Sequence, residues 1–301
     1  MNNNGRTING SVLITAWKKL PVIVRAIFIG VLVTATGTLP WAWLVSMNVK
    51  HLPSVPWSVA PTIIWLWLFW QYFIKGKGLP RSTATFRKLM SRGNLLSAEA
   101  WGAALLAGIL GLVSLLFFSG VISRMIRLPQ QDASGMEQVP PLVLFLMLLT
   151  GSAVAGITEE TGFRGYMQQP VEERHGPLVA ILITGIIFGL MHFTHAETTL
   201  ALMPFYFFAA TVYGMLAYLT NSILPGMVLH AAGNVFSGLN LLTRGQSQWE
   251  TSSIPKPLIW KSGPDASFWL SLLGFFVVGS IAVWAYFSLW RLIKKEDRNH
   301  N

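Results

Sequence analysis

The residues with the clearest potential for chemistry are two adjacent glutamates, Glu159 and Glu160, with Arg164 four positions after the second. They end an apolar run, residues 142–158, that contains no charge. A charged group inside a membrane helix costs about 2.5–3.5 kcal/mol on insertion scales. Three such groups at the end of one apolar run therefore indicate a function.

Helical geometry predicts different environments for the two glutamates. Residues four apart on a helix share a face, so Glu160 and Arg164 are expected to pair and offset each other's charge. Glu159 is turned by about 100° from Glu160, as successive helix residues are. We therefore expect Glu159 to point into a cavity, where a carboxylate without a cation partner suits a general base.

Two histidines lie in other apolar runs. His192 closes the segment FGLMH, and His230 opens the segment HAAGN, four residues before Asn234. Glutamates, imidazoles and an amide suit the activation of a water molecule and the stabilisation of an oxyanion at an amide carbonyl. The set Glu159, His192 and His230 could alternatively hold a zinc ion.

The chain between these segments predicts a hairpin that brings Glu159 and His192 together. The polar segment PVEERHGP is expected to form the turn, and Glu159 and His192 lie about 16 residues before and after its centre. Equal rise per residue places both at the same depth. His195 and Glu197 lie close to His192, and an outer-loop or packing role is expected for them.

The composition predicts the class of protein that must position these residues. Of 301 residues, 52% are hydrophobic and 11% are charged, against about 25% charged in a soluble domain. The formal net charge of +10 could suggest a nucleic-acid partner, but the basic residues lie at the ends of apolar runs. That pattern is typical of membrane orientation signals. The absence of cysteine excludes disulfides and thiolate zinc sites.

We predict an all-α, polytopic membrane helical bundle of about eight transmembrane helices. The segments with about 20 apolar residues are 22–46, 55–74, 100–122, 141–162, 178–196, 199–219, 223–242 and 267–291. With the N-terminus inside, the inner segments hold 16 Lys and Arg and the outer ones 6, which places both termini in the cytoplasm. We predict three regions: helices 1–3 with a basic inner loop (1–139), a catalytic core of helices 4–7 (140–242), and an outer loop with the last helix (243–301).

Three motifs resemble those of a known family. EETGFR, FGLMH and HAAGN are similar, in this order, to the E-E-x-x-x-R, F-x-x-x-H and H-x-x-x-N motifs of the CAAX-prenyl protease type II and bacteriocin-processing family, also called CPBP or Abi. They fall within residues 140–242, about a third of the chain. The resemblance implies an intramembrane endopeptidase that cleaves a prenylated, CAAX-type or other membrane-associated protein or peptide.

The resemblance also implies the role of each residue. It makes Glu159 the general base and Glu160 its supporting neighbour, with Arg164 orienting the carboxylates. Positioning or polarising water falls to His192, and forming the oxyanion site falls to the last motif, His230 and Asn234.

Alternatives remain at the level of mechanism and class. The family has been described both as metalloproteases and as glutamic proteases. We favour no metal, because the chain lacks the closely spaced histidine pair, H-E-x-x-H, of zinc helices. A non-catalytic bacteriocin-immunity or scaffold protein, or an ion-coupled transporter, would keep similar polar residues in the membrane. The expected surroundings are the lipid bilayer of a bacterial cytoplasmic membrane and a peptide substrate, with no nucleic acid; the oligomeric state is not predicted.

Overall fold

The computed structural model describes residue 15 and residues 17–126, 138–192, 196–244 and 257–300, and all regular structure in these ranges is helical. The first helices are α1 (Val22–His51), α2 (Val59–Phe69), which continues as a π-helical turn (Trp70–Ile74), α3 (Ala84–Met90) and α4 (Ala98–Met125). They are followed by α5 (Pro141–Glu159), a π-helical segment (Glu160–Gln168), α6 (Gln169–His175), α7 (Pro177–Met191), α8 (Ala196–Thr220), α9 (Leu224–Arg244), α10 (Ile259–Ser262) and α11 (Ala266–His300).

The all-α membrane fold predicted from the sequence is confirmed. Within the described ranges, five helices are long and apolar enough to cross a membrane, namely Val22–His51, Ala98–Met125, Pro141–His175, Leu202–Thr220 and Ala266–Arg298. Two shorter apolar helices occupy Val59–Ile74 and Pro177–Met191. The protein is therefore an integral membrane protein, while the count of eight spans and the cytoplasmic position of the termini stay predictions.

Between residues 140 and 242, the longest continuous helical stretch carries the two glutamates. It runs for 35 residues, Pro141–His175, and ends at Gly176, whose φ of +83° favours glycine over any other residue. At 1.5 Å per residue it is about 50 Å long, well beyond the roughly 30 Å hydrocarbon core. The sequence predicted an end near residue 162, but Gln169–His175 is also helical, so the hairpin before α7 has a long helical arm.

Helix α1 packs closely on the glutamate-bearing helix through small residues. A Cβ atom added to Gly162 would lie 2.0 Å from Thr34 Oγ1 and 2.6 Å from the carbonyl oxygen of Gly30. A Cβ added to Gly37 would lie 2.1 Å from the side chain of Thr158. Small residues allow such close approach between membrane helices. The backbone on both sides of Glu159 and Glu160 is therefore held against α1.

Candidate active site

The glutamate pair lies at a change of helix type. Glu159 is the last residue of α5, and Glu160 begins the nine-residue π-helical segment that also carries Arg164. The hydrogen bonds of a π-helix join residues five apart, and such segments are rare and often found at functional sites. The sequence predicted an ordinary α-helix here, because the apolar pattern does not distinguish the two.

The end of the π-helical segment is fixed by a buried polar network. Gln168 donates through Nε2 to the carbonyl oxygen of Gly214 at 2.9 Å and to Glu172 Oε2 at 3.2 Å. Glu172 in turn forms a salt bridge with Arg92, whose Nη1 lies 3.1 Å from Oε2. The network ties the π-helical segment to α8 and to the basic loop after α2.

Glu160 and Arg164 form the ion pair that their spacing predicted. Arg164 Nη1 lies 3.1 Å from Glu160 Oε1, and both side chains are fully buried at 0% exposure. The Arg164 guanidinium also lies over two rings, with its carbon 4.9 Å from the centroid of Phe188 and 5.3 Å from that of Tyr213. Aromatic faces attract a cation, so both the carboxylate and the rings compensate this buried charge.

His230 lies between the two glutamates. Its Nδ1 is 2.9 Å from Glu160 Oε1, a hydrogen bond, and its Nε2 is 3.8 Å from Glu159 Oε2. A carboxylate accepts, so this arrangement places a proton on Nδ1 and directs Nε2 towards Glu159. The depth argument expected His192 and His230 to lie at the level of Glu159, and the structure places His230 beside it.

A glycine lets α9 bring His230 to this position. A Cβ atom added to Gly226, one turn before His230, would lie 2.9 Å from Glu160 Oε2. A Cβ added to Gly156, one turn before Glu160 on α5, would lie 2.6 Å from the carbonyl oxygen of Met227. The two helices therefore approach each other through glycines on both sides of the polar cluster.

His192 stands at the end of a helix. Helix α7 ends at Met191, earlier than the predicted residue 196, and His192 is its C-cap with φ −89° and ψ 19°. The His192 Nδ1 lies 2.8 Å from the carbonyl oxygen of Phe188, which satisfies one orphan carbonyl of the last turn. His195 and the side chain of Glu197 lie outside the described residues.

The six sequence-predicted residues divide by exposure. Glu160 and Arg164 are fully buried, and His230 is buried at 6%. Glu159, His192 and Asn234 are half-buried. Asn234 lies one turn beyond His230 on α9. The site therefore has an inaccessible ion pair behind a partly accessible edge, with His230 connecting the two.

Sequence reasoning missed two tyrosines of α8. The Tyr206 ring stacks on His192 with centroids 4.4 Å apart, and the Tyr213 ring stacks on His230 at 5.0 Å. The ring of Phe188 lies between, 4.6 Å from the His192 ring and 6.2 Å from the His230 ring. The spacing of seven residues between the tyrosines, which puts them on one face of an apolar helix, was the signal that could have revealed them.

The arrangement of the ring nitrogens and carboxylates bears on the alternative metal site. Across the described ranges, no group of three or more His, Cys, Asp and Glu side chains is arranged to hold a metal ion. His230 Nδ1 is engaged with Glu160, and His192 Nδ1 with a backbone carbonyl. Histidines that bind a metal through Nε2 make the same kind of Nδ1 contact, so the preference for a metal-free site over the set of Glu159, His192 and His230 stays a prediction.

Comparison with known proteins identifies the central part of the chain. Residues 141–236 match the family model described as Rce1-like, Type II CAAX prenyl endopeptidase Rce1-like. This segment contains all three motifs and every residue of the candidate site. Neither the curated proteins nor the solved structures gave a significant match. The match confirms the resemblance seen in the motifs and implies a CAAX-type intramembrane protease fold.

Proposed function

We propose that this protein is a glutamate-dependent intramembrane endopeptidase that hydrolyses a peptide bond of a prenylated, CAAX-type or other membrane-associated substrate. The observation that carries the proposal is the position of His230, which bonds Glu160 through Nδ1 and faces Glu159 through Nε2. Ionisable side chains inside membrane helices are energetically costly. A histidine and two glutamates that lie together there therefore indicate a functional site.

In the proposed reaction, Glu159 is the general base. The gap of 3.8 Å between Glu159 Oε2 and His230 Nε2 is too long for a direct hydrogen bond and is of the kind that a water molecule bridges. Glu159 takes a proton from this water as the oxygen attacks the carbonyl carbon of the peptide. The tetrahedral intermediate then collapses, the C–N bond breaks, and the proton held by Glu159 passes to the leaving amine.

The remaining groups prepare this step. Glu160 keeps Nδ1 of His230 protonated and its ring oriented, while Arg164 offsets the charge of Glu160. His192 and Asn234 lie on the accessible edge, where N–H donors can stabilise the oxyanion of the intermediate. No step requires a metal ion.

The test compares two glutamine substitutions in the same helical arm. Glu159→Gln removes the base, and Glu173→Gln changes an exposed glutamate that accepts a hydrogen bond from Gln169 in the same arm. The purified proteins are assayed in liposomes on a farnesylated C-a-a-X peptide, with and without a chelator. In parallel, membrane peptides are compared by proteomics between cells carrying each variant.

We expect Glu159→Gln to lower kcat/KM by at least about 100-fold, the usual contribution of general base catalysis. Glu173→Gln should stay within twofold of the wild type, and the chelator should have no effect. Equal peptide profiles for wild type and Glu159→Gln would contradict the proposal and favour a scaffold or immunity protein. Proton flux into the liposomes that depends on Glu159 would favour a transporter instead.

A further inference from the structure

Both histidines of the site are covered by a tyrosine from a single helix that carries none of the three motifs. Tyr206 stacks on His192 with an interplanar angle of 28°, and Tyr213 stacks on His230 at 14°. The two tyrosines are seven residues apart on α8, so they lie on the same face two turns from each other. Both are buried, at 7% and 5% exposure.

The glycines of the neighbouring helices lie next to these tyrosines. A Cβ atom added to Gly189 of α7 would lie in van der Waals contact with Tyr206, 3.4 Å from its Cβ. A Cβ added to Gly233 of α9 would lie 3.8 Å from the hydroxyl oxygen of Tyr213. The helices that carry the two histidines are thus packed directly against the helix that carries the two rings.

Each imidazole is restrained twice, and the two restraints are complementary. A hydrogen bond fixes one point of the ring, since Nδ1 bonds the Phe188 carbonyl in His192 and Glu160 in His230. The χ2 torsion of histidine is broad, so this point alone leaves the ring free to tilt. A stacked aromatic ring fixes the plane. A point and a plane together determine where Nε2 is directed.

We propose that Tyr206 and Tyr213 are positioning residues that set the orientation of His192 and His230, an inference that rests on the proposed function. The tyrosine rings hold Nε2 of each imidazole at the edge where Glu159 and the substrate meet. A misplacement of about 1 Å in such a group can cost a factor of about 100 in rate. Loss of either ring should therefore act on kcat and leave KM nearly unchanged.

An aromatic ring at position 213 also suits the buried cation beside it. The face of an aromatic ring attracts a cation, and the Tyr213 ring already lies 5.3 Å from the Arg164 guanidinium carbon. The Tyr213 ring also lies nearly parallel to the His230 ring, at an interplanar angle of 14°. An aliphatic side chain of similar volume fills this space without that attraction, whereas phenylalanine keeps it.

The experiment separates the ring from the hydroxyl and from general packing. Tyr206 and Tyr213 are each changed to Leu and to Phe in the full chain, and Tyr218→Leu, a change at a more exposed tyrosine of α8, is the control. NMR of histidine-labelled protein in nanodiscs reports the ring protons of His192 and His230, assigned with His192→Gln and His230→Gln. The kcat and KM are measured on the farnesylated C-a-a-X peptide.

In the wild type, we expect contacts between the ring protons of each histidine and its tyrosine, and upfield shifts from the stacked ring. In each Leu variant, the histidine next to the substituted tyrosine should lose its upfield shift. The kcat should fall 10- to 100-fold, with KM within twofold of the wild type. The Phe variants should recover most of both, and Tyr218→Leu should match the wild type.

Two results would overturn the inference. Absence of the tyrosine–histidine contacts in the wild type would do so even where a Leu variant fails to fold. Leu variants with a lost shift but wild-type kcat would also do so, while leaving the proposed function intact. Failure of the proposed function has a different signature, equal cleavage by wild type and Glu159→Gln, and the NMR contacts then decide the geometry alone.

Discussion

Two regions of this protein are packed through small residues but contain different interiors. In one, α1, the π-helical segment and α9 meet through Gly30, Gly162 and Gly226 around a fully buried ion pair. In the other, α4 and α11 meet through Gly120 and Gly274. Between its two ends, which carry charged groups, the second interface holds apolar side chains and neutral hydroxyls, as in the hydrogen bond from Ser114 Oγ to the Phe275 carbonyl oxygen at 3.1 Å.

Comparing the two regions separates the effect of close helix packing through glycine from the effect of buried charge. Close approach between helices is a general means of packing in membranes, and the α4–α11 interface uses it for cohesion alone. Around Glu160 the same close approach places a carboxylate, a guanidinium and an imidazole in contact. Substitutions should therefore affect mainly stability at the α4–α11 interface, and both stability and catalysis around the ion pair.

The largest effect is expected where the buried charges lose a partner. Arg164→Met leaves the fully buried Glu160 carboxylate with His230 as its remaining partner. Removing one member of a buried ion pair costs about 3–5 kcal/mol, because the other charge stays uncompensated. We expect a large fall in the free energy of unfolding, measured in mild detergent, together with loss of peptide cleavage.

A double-variant cycle checks the cause. Glu160→Gln with Arg164→Met removes both charges at once, so the double variant should be more stable than the sum of the two single changes predicts. If the losses of unfolding free energy are additive, the ion pair does not stabilise the site electrostatically. The two regions would then differ only in how their side chains pack.

A medium effect is expected from added methyl groups, and it should differ between the regions. Gly162→Ala meets Thr34 and the Gly30 carbonyl oxygen, whereas Gly274→Ala meets the Phe117 ring at 2.5 Å. Overpacking costs about 1–3 kcal/mol in each case. Only Gly162→Ala displaces the segment between Glu160 and Arg164, so only it should lower the activity of the folded fraction.

The α4 glycine at position 102 provides the matched control. A Cβ atom added there has no described atom within 4 Å outside its own helix and its neighbours, so Gly102→Ala should be neutral or slightly stabilising. Thermal unfolding and cleavage of the farnesylated peptide, normalised to folded protein, give both quantities. Equal loss of activity in Gly162→Ala and Gly274→Ala would contradict the distinction.

The sequence predicted the features that depend only on residues close to one another in the chain. Apolar runs predicted the helices, and the four-residue spacing predicted the ion pair of Glu160 and Arg164, because neighbours on one helix face need no knowledge of other helices. The turn at Gly176 was likewise visible in a short polar segment. Motif order was enough to indicate the resemblance that the family model matches over residues 141–236.

Contacts between helices were not predictable in the same way. Matched depth fixes only one coordinate of a residue, so it placed His192 and His230 at the level of Glu159 without showing that His230 lies beside it. The π-helical segment changes the direction in which the side chains after Glu159 point, and the hydrophobic pattern of the sequence does not reveal this change. Tyr206 and Tyr213 lie on a helix without a motif, and their contacts depend on how α8 faces α7 and α9.

The smallest effect concerns the ion pair at the end of the α4–α11 interface. Arg124 Nη1 of α4 lies 2.7 Å from Asp265 Oδ2, just before α11, and the Asp265 side chain is about half exposed at 52%. Hydrogen bonds from Arg124, then from Ser267 and the Phe268 N–H, hold the pKa of Asp265 well below its usual value. Arg124 is buried at 4% exposure, but the half-exposed carboxylate keeps the pair open to water and salt, so its contribution to stability should be small.

The sign of the pH dependence follows from the lowered pKa. A carboxyl group with a depressed folded pKa contributes its stability above the unfolded pKa of about 3.9, and this stability is lost as the pH falls towards the folded value. Asp265→Asn should therefore lower the unfolding temperature slightly at pH 7, and the difference from the wild type should shrink below about pH 4. High salt should shrink it as well. A difference that grows on acidification would show that the charged form of Asp265 is not stabilised. The Arg124–Asp265 pair would then contribute to the α4–α11 interface by packing and not by its charge.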